Sequence, residues 1–124
     1  MRAINLMNQI AATDKTFTLE DGRWRGKCLI CNGWLTFDAH TGYGANIEHI
    51  YPCSLGGDNA LTNLGLTHPG CNAEKGRNWD PKGRHRADPE RYRQIVEGLR
   101  QRRVARWRES AASQGVYKLS VADR

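Results

Sequence analysis

The stretch that decides the fold is IEHIYPCSLGGDNALTNLGLTHPGCNAEKG, residues 47–76. It places an acid beside an imidazole and then alternates short apolar segments with turns rich in Gly and Asn. Residues 46–51 and 63–67 are short and β-prone, and Pro69 suits the first turn of a following helix. The predicted order is therefore strand, loop, strand and helix around one small polar cluster.

A metal clamp is predicted beside this cluster. Cys28 and Cys31 have the two-residue gap of a metal knuckle, and His68 and Cys71 repeat that gap. Two such pairs can close a tetrahedral site on zinc, and a site with four protein ligands is structural because no position remains for substrate. Cys53 is a rival fourth ligand, since many zinc clamps use four Cys, but it has no partner at knuckle spacing.

Composition bounds the class of protein. The 124 residues fit one small domain, and a hydrophobic content of 39% predicts a small core that a metal would support. No apolar run reaches the ~18 residues of a membrane span, so no membrane partner is expected. The N-terminal residues lack the pattern of a secretory signal, so we expect an intracellular protein with reduced thiols.

Positive charge is concentrated in one segment. Residues 77–110 hold 11 Lys and Arg against 5 Asp and Glu, whereas the rest of the chain has 8 of each sign. The planar fork of arginine suits phosphate, so this segment favours a polyanion partner over a merely solvated surface helix. The basic residues predicted to contact nucleic acid are Lys75, Arg77, Arg84, Arg86, Arg91, Arg100 and Arg103.

Further elements are predicted on both sides of the central stretch. Residues 3–12 suit a short helix, and residues 15–20 and 23–27 suit a hairpin turning at Asp21-Gly22. The predicted division is an N-terminal helix and hairpin extension (1–27), a core (28–76), a basic linker with an Arg-rich helix (77–110) and a tail (111–124).

The Arg-rich helix has a clear predicted start. Asp88-Pro89-Glu90 combines a capping acid, a proline for the first helical position and an acid in the first turn. Arginines fill the polar faces of this helix. Its predicted apolar stripe is Tyr92, Ile95, Val96, Leu99, Val104 and Trp107.

Residues 28–76 resemble the HNH endonuclease family. The matching pattern is Glu48-His49-Ile50, Pro52, Gly56-Gly57, Asn59, Asn63-Leu64, Leu66, Cys71-Asn72 and Lys75-Gly76. The resemblance implies an α+β fold: a small ββα-metal motif stapled by zinc, with flanking helices that include a basic C-terminal helix. It also implies a structural Zn2+ and a separate catalytic Mg2+ or Mn2+.

The resemblance also implies roles for single residues. His49 stands at the position of the general base, and Asn63 at that of the asparagine that orients this histidine and its loop. Glu48 and Asn72 stand where the family holds its catalytic ion. Two departures are Asn72 in place of the final histidine, and His68 where Cys is common. Because Glu48 and His49 are neighbours on a strand, they should face opposite sides unless the strand twists or bulges.

The expected function is a metal-dependent DNA endonuclease in the cytoplasm of a bacterial or phage-infected cell. A monomer with one site should nick one strand, and cutting both would need a homodimer or two events. A histidine in a strand is often only structural. Two alternatives to a DNA endonuclease remain open. They are a zinc-ribbon DNA-binding protein without catalysis and a nuclease directed at RNA.

Overall fold

A computed structural model describes residues 3–52, 56–72 and 89–110. The chain forms a short helix, a three-stranded antiparallel sheet, a two-stranded antiparallel sheet and a long final helix. This mixture confirms the predicted α+β class. The elements are α1 (Ile4–Ala12), β1 (Thr18–Glu20), β2 (Arg23–Lys27), β3 (Trp34–Asp38), β4 (Asn46–His49), β5 (Leu64–Thr67), α2 (69–72 in its described part) and α3 (Pro89–Ala105).

The hairpin of β1 and β2 turns at the predicted dipeptide. Asp21 and Gly22 both have positive φ, at 52° and 75°, as a two-residue turn between twisted antiparallel strands requires. The register then pairs Glu20 with Arg23, and β2 pairs in turn with β3. The turn residues therefore fix which side chains of this sheet face the core.

The main core lies between α1 and the three-stranded sheet. Asn8 is fully buried on α1 and links three elements, since its Oδ1 accepts from Trp24 Nε1 at 2.6 Å and its Nδ2 donates to the carbonyl of Ala39 at 3.0 Å. The core takes residues from both the 1–27 segment and the 28–76 segment. Its larger members are Met7, Ile10, Phe17, Trp24, Leu35, Phe37, Leu64 and Leu66.

A smaller core lies under α3. Tyr92, Val96 and Leu99 pack with Leu29 and Ile50, which confirms the first part of the predicted stripe. Because Leu29 lies between Cys28 and Cys31, this contact places α3 against the predicted zinc knuckle.

The predicted stripe is wrong at Val104. That side chain is 55% exposed, and the next buried position after Leu99 is Arg103, at 1% exposure. Arg103 is buried because its guanidinium donates to the carbonyl and hydroxyl of Thr13 and to the carbonyl of Leu61. The apolar stripe thus ends where hydrogen bonds to α1 and to the loop before β5 begin.

Strand β4 is shorter than predicted. The Tyr51 N–H donates to the side-chain Oδ1 of Asn63 at 2.9 Å instead of to a partner strand, so regular pairing ends at His49. Residues 73–76 of the predicted α2, the linker 77–87, Asp88 and the tail 111–124 lie outside the described residues. In the part of the chain that is described, no helix has both the length and the apolar character of a membrane span.

Two glycines give a matched test of this packing. A Cβ on Gly26 in β2 would lie 2.4 Å from the Phe17 ring, whereas a Cβ on Gly98 in α3 would meet nothing within 4 Å. We expect Gly26→Ala to lower the free energy of unfolding by about 1–3 kcal/mol through overpacking. Gly98→Ala should raise it by about 0.5–1 kcal/mol through helix propensity. Urea unfolding of the zinc-loaded proteins measures both, and equal effects would contradict this account of the core.

Candidate metal centres and active site

The four residues predicted to bind zinc form one cluster, called here the zinc clamp. The ligand atoms of Cys28, Cys31, His68 and Cys71 all lie within 4.8 Å of one another. His68 Nδ1 lies 3.4 Å from the sulfur of Cys31 and 3.7 Å from that of Cys71. Because tetrahedral zinc with bonds of ~2.3 Å places its sulfurs ~3.8 Å apart, this donor set fits the ion.

The tautomer of His68 supports its role as a ligand. Its Nε2 lies 2.7 Å from the carbonyl oxygen of Trp34, and because a carbonyl can only accept, Nε2 carries the hydrogen. The lone pair is therefore on Nδ1, the atom that faces the thiols. Metal-binding histidines are usually oriented in this way by their second nitrogen. The rival ligand Cys53 lies outside the described residues.

The knuckle, residues 28–33, is a tight turn that points backbone N–H groups at sulfur. Cys28 N–H donates to the carbonyl of Gly33 at 2.8 Å, and Asn32 takes a left-handed φ of 64° between them. Gly33 N–H then lies 3.3 Å from the Cys31 sulfur. The Gly33 N–H therefore stabilises the Cys31 thiolate before any metal is bound.

The thiols of the clamp differ in acidity. The hydrogen bond from Gly33 N–H is the main reason that the pKa of Cys31 falls to about 7. Burial is the main reason that the pKa of Cys71 rises to about 12. In the metal-free protein near neutral pH, Cys31 is therefore partly ionised and Cys71 keeps its proton.

Zinc binding should release a pH-dependent number of protons. A metal binds thiolate, so Cys71 must lose its proton at any pH below about 12, while Cys31 has largely lost its own above about 7. From Cys31 alone, we expect zinc binding to release nearly one proton fewer at pH 8 than at pH 6, and affinity to fall on acidification. Titration calorimetry in buffers of different ionisation enthalpy measures the release; an unchanged release would contradict the assigned acidity of Cys31.

Arg102 of α3 and Arg106, which follows the end of α3, bind the knuckle and the residue before it. Arg102 donates to the carbonyl of Leu29 at 2.6 Å, and Arg106 donates to the carbonyl of Lys27 at 3.1 Å and to the side-chain oxygen of Asn32. Burial lowers the pKa of Arg106. Arg102 thus satisfies a backbone carbonyl of the tight turn, and Arg106 satisfies the carbonyl just before it.

The same burial corrects one predicted nucleic-acid contact. Arg103 was predicted to reach phosphate, but its guanidinium is enclosed by Thr13 and Leu61. Desolvation lowers its pKa to about 10, so it stays charged at neutral pH within the protein. Of the remaining predicted set, Arg91 and Arg100 are exposed on α3, and the others lie outside the described residues: Lys75, Arg77, Arg84 and Arg86.

The support that Arg106 gives to the knuckle can be tested by comparing two arginine variants. Arg106→Ala removes donors to two partly buried acceptors and a cation 4.0 Å from the buried Asp14, so we expect a loss of about 2–4 kcal/mol in stability. Zinc transfer to a chromogenic chelator should also be faster. Arg93→Ala is the control, because Arg93 forms only an exposed pair with Glu90. Equal zinc transfer in both variants would contradict a role in supporting the knuckle.

Glu48 and Asn72 meet across the gap between β4 and α2. Glu48 is only 7% exposed, and Asn72 Nδ2 donates directly to its Oε1. The same Asn72 nitrogen lies 3.5 Å from the carbonyl of Ile47. A buried carboxylate beside a carboxamide offers the hard oxygen donors that Mg2+ or Mn2+ prefers.

His49, the next residue, contacts a different segment. It is half-buried, and its Nε2–H donates to Oδ1 of Asn59 at 2.8 Å. Glu48 and His49 therefore meet different partners, as the alternation of a strand requires. No catalytic or positioning role was predicted for Asn59, although it belongs to the pattern that resembles the family. Its position ten residues after His49 carries no local signal of this contact.

Asn63 holds the loop between β4 and β5. Its Oδ1 accepts from Tyr51 N–H, and its Nδ2 donates to the carbonyls of Tyr51 at 3.1 Å and Asp58 at 2.8 Å. Its own carbonyl accepts from Ile50 N–H at 2.8 Å. Asn63 was predicted to orient both the histidine and the loop; the contacts place it on the loop that carries Asn59.

Comparison with known proteins identifies this region. Residues 31–79 match the family model described as HNH endonuclease. This segment belongs to the HNH endonuclease family. No curated protein and no solved structure shows significant similarity to the chain.

The HNH segment covers less than half of the chain. It contains three of the four zinc-clamp residues and both pairs described above, whereas α1, the β1–β2 hairpin and α3 lie outside it. A nuclease-type function and a nucleic-acid substrate follow from the family in general terms.

Proposed function

We propose that this protein is a metal-dependent DNA endonuclease that hydrolyses phosphodiester bonds and, as a monomer, nicks one strand. The single observation that carries the proposal is the contact between the buried carboxylate of Glu48 and the carboxamide of Asn72, next to an oriented His49. Hydrolysis of a phosphodiester needs a base for the attacking water and positive charge near the phosphate. Within the HNH segment, His49 is the candidate for the base, and Glu48 and Asn72 are the candidates for holding the ion.

In this proposal His49 is the general base. Its Nε2–H is held by Asn59, which fixes both the ring and the tautomer and leaves Nδ1 as the basic nitrogen. Nδ1 takes a proton from the water that attacks phosphorus. Asn63 acts as a positioning residue, because its three side-chain hydrogen bonds fix the loop that carries Asn59.

Glu48 and Asn72 would hold the catalytic divalent ion. Both offer oxygen atoms, a donor set that suits Mg2+ or Mn2+ better than a soft or borderline ion. When bound there, the ion supplies positive charge to the phosphate oxygens and to the departing 3′ oxygen. The zinc clamp is separate from this pair and has four protein ligands, so the proposed role of Zn2+ is structural.

Arg91 and Arg100 would contribute to DNA binding from the exposed side of α3. Lys75, Arg77, Arg84 and Arg86 belong to the same proposed set by sequence. Contacts of this kind go to phosphate and raise affinity with little dependence on base sequence. We therefore expect the affinity for DNA to fall as the salt concentration rises.

The test is plasmid nicking by the wild type and by two histidine variants. We expect His49→Ala to lower the nicking rate by about 100-fold or more, the usual contribution of a general base. His40→Ala is the matched control, since His40 is exposed in the loop after β3 and should leave the rate unchanged. Activity should appear with Mg2+ or Mn2+ and disappear when the divalent ion is chelated.

The same experiment separates the other functions. If His49→Ala nicks as fast as the wild type, His49 is not the base and the proposed mechanism is wrong. A zinc-ribbon DNA-binding protein would bind plasmid without nicking it in any metal. An RNA-directed nuclease would cleave folded RNA and leave supercoiled plasmid intact.

A further inference from the structure

The outer face of the three-stranded sheet is open and carries an unusual set of side chains. All three residues of β1 are exposed, and alternate residues of β2 and β3 point away from the core. A groove of about 490 Å³ crosses this face. Thr18, Arg25, Trp34 and Thr36 line it, together with Glu20, Asp21 and Arg23. This surface belongs neither to the zinc clamp nor to the Glu48–Asn72 pair.

Trp34 lines this groove with a large, exposed aromatic side chain. The indole is 56% exposed, although two cations lie over it: Arg25 Cζ is 4.2 Å and Lys27 Nζ is 4.3 Å from the ring centroid. Core packing would bury a residue of this size. Its backbone is fixed, because the Trp34 carbonyl accepts the hydrogen bond from His68 of the zinc clamp. The exposed ring is thus presented on a rigid part of the fold.

Charge on this face is uneven. The register places Arg23 between Glu20 and Asp38, so that end of the sheet carries its own counter-charges. Arg25 instead pairs across the strands with Thr18 and Thr36, and Lys27 pairs with Trp34. The positive charge without a paired acid in the register is therefore concentrated around the indole.

We propose that Arg25, Lys27 and Trp34, called here the indole platform, bind a single nucleic-acid strand. A base stacks on the indole while the two cations contact the flanking phosphates, the combination by which proteins hold single strands without sequence preference. An indole lying on a sheet reaches only bases that are not stacked in a duplex. The choice of nucleic acid over another polyanion rests on the proposed nuclease function.

The experiment measures binding of a fluorescein-labelled thymidine oligonucleotide by anisotropy. It uses the full zinc-loaded chain without added Mg2+ or Mn2+, so that binding is read without cleavage. Trp34→Leu should weaken binding by about fivefold or more, the lower range of loss for one base stack. Arg25→Gln with Lys27→Gln should lower the slope of log affinity against log salt by about 1.4, at ~0.7 for each phosphate contact on a single strand.

Arg23→Gln is the matched control, because it removes a cation from the same sheet where two acids lie beside it. Its affinity and salt slope should stay close to those of the wild type. Zinc content and far-ultraviolet circular dichroism establish that each variant is folded.

Three results would overturn the platform. They are unchanged binding in Trp34→Leu, an equal loss in Arg23→Gln, and competition by polyglutamate as effective as that by unlabelled oligonucleotide. A protein that shows the expected binding losses but nicks no plasmid would contradict the proposed endonuclease and leave the platform standing. Normal nicking with unchanged oligonucleotide binding in Trp34→Leu would contradict only the platform.

Discussion

The cluster of Cys28, Cys31, His68 and Cys71, which could hold a zinc ion, links segments that the small core joins only weakly. It joins the knuckle before β3 to the strand-to-helix junction after β5, two segments that are distant in sequence. The main core involves α1 and both sheets, but few large side chains fill it. In a domain of this size a metal site can supply much of the folding free energy that a larger core would provide. The position of α2, and with it Asn72, follows from this junction.

The basic C-terminal helix has two functions in the fold that its composition does not distinguish. Arg102 donates to the Leu29 carbonyl in the knuckle, and Arg106, just after the helix, donates to the Lys27 carbonyl, while Arg103 is enclosed against the end of α1. Arg108 donates to the carbonyls of Ala12 and Phe17 at 2.7 and 2.8 Å, closing the same junction. A helix C-terminus leaves carbonyls without partners, and a guanidinium with five donors can satisfy several at once. Part of the net positive charge is therefore structural.

The two candidate catalytic groups gain their orientation from short polar contacts and not from burial alone. Glu48 is enclosed and touches Asn72, whereas His49 stays half-buried and is fixed by Asn59. Asn63 holds the loop between β4 and β5 with three side-chain hydrogen bonds. Carboxamides suit this task because they donate and accept at once without carrying charge, so they can position an acid and a base without neutralising either.

The sequence was enough to predict most helices and strands, the turn at Asp21-Gly22, the four zinc-clamp residues and the resemblance to the HNH family, because each of these depends on local spacing or on side-chain chemistry. It also placed Tyr92, Val96 and Leu99 on one face of α3. Only the tertiary structure decided that Arg103, one turn further along that face, is buried while Val104 is exposed, since the burial of an arginine depends on carbonyls brought to it by distant segments. The contact of Asn59 with His49 and the exposed indole of Trp34 were decided in the same way: a pairing across a loop or between strands has no period along the chain from which it could be read.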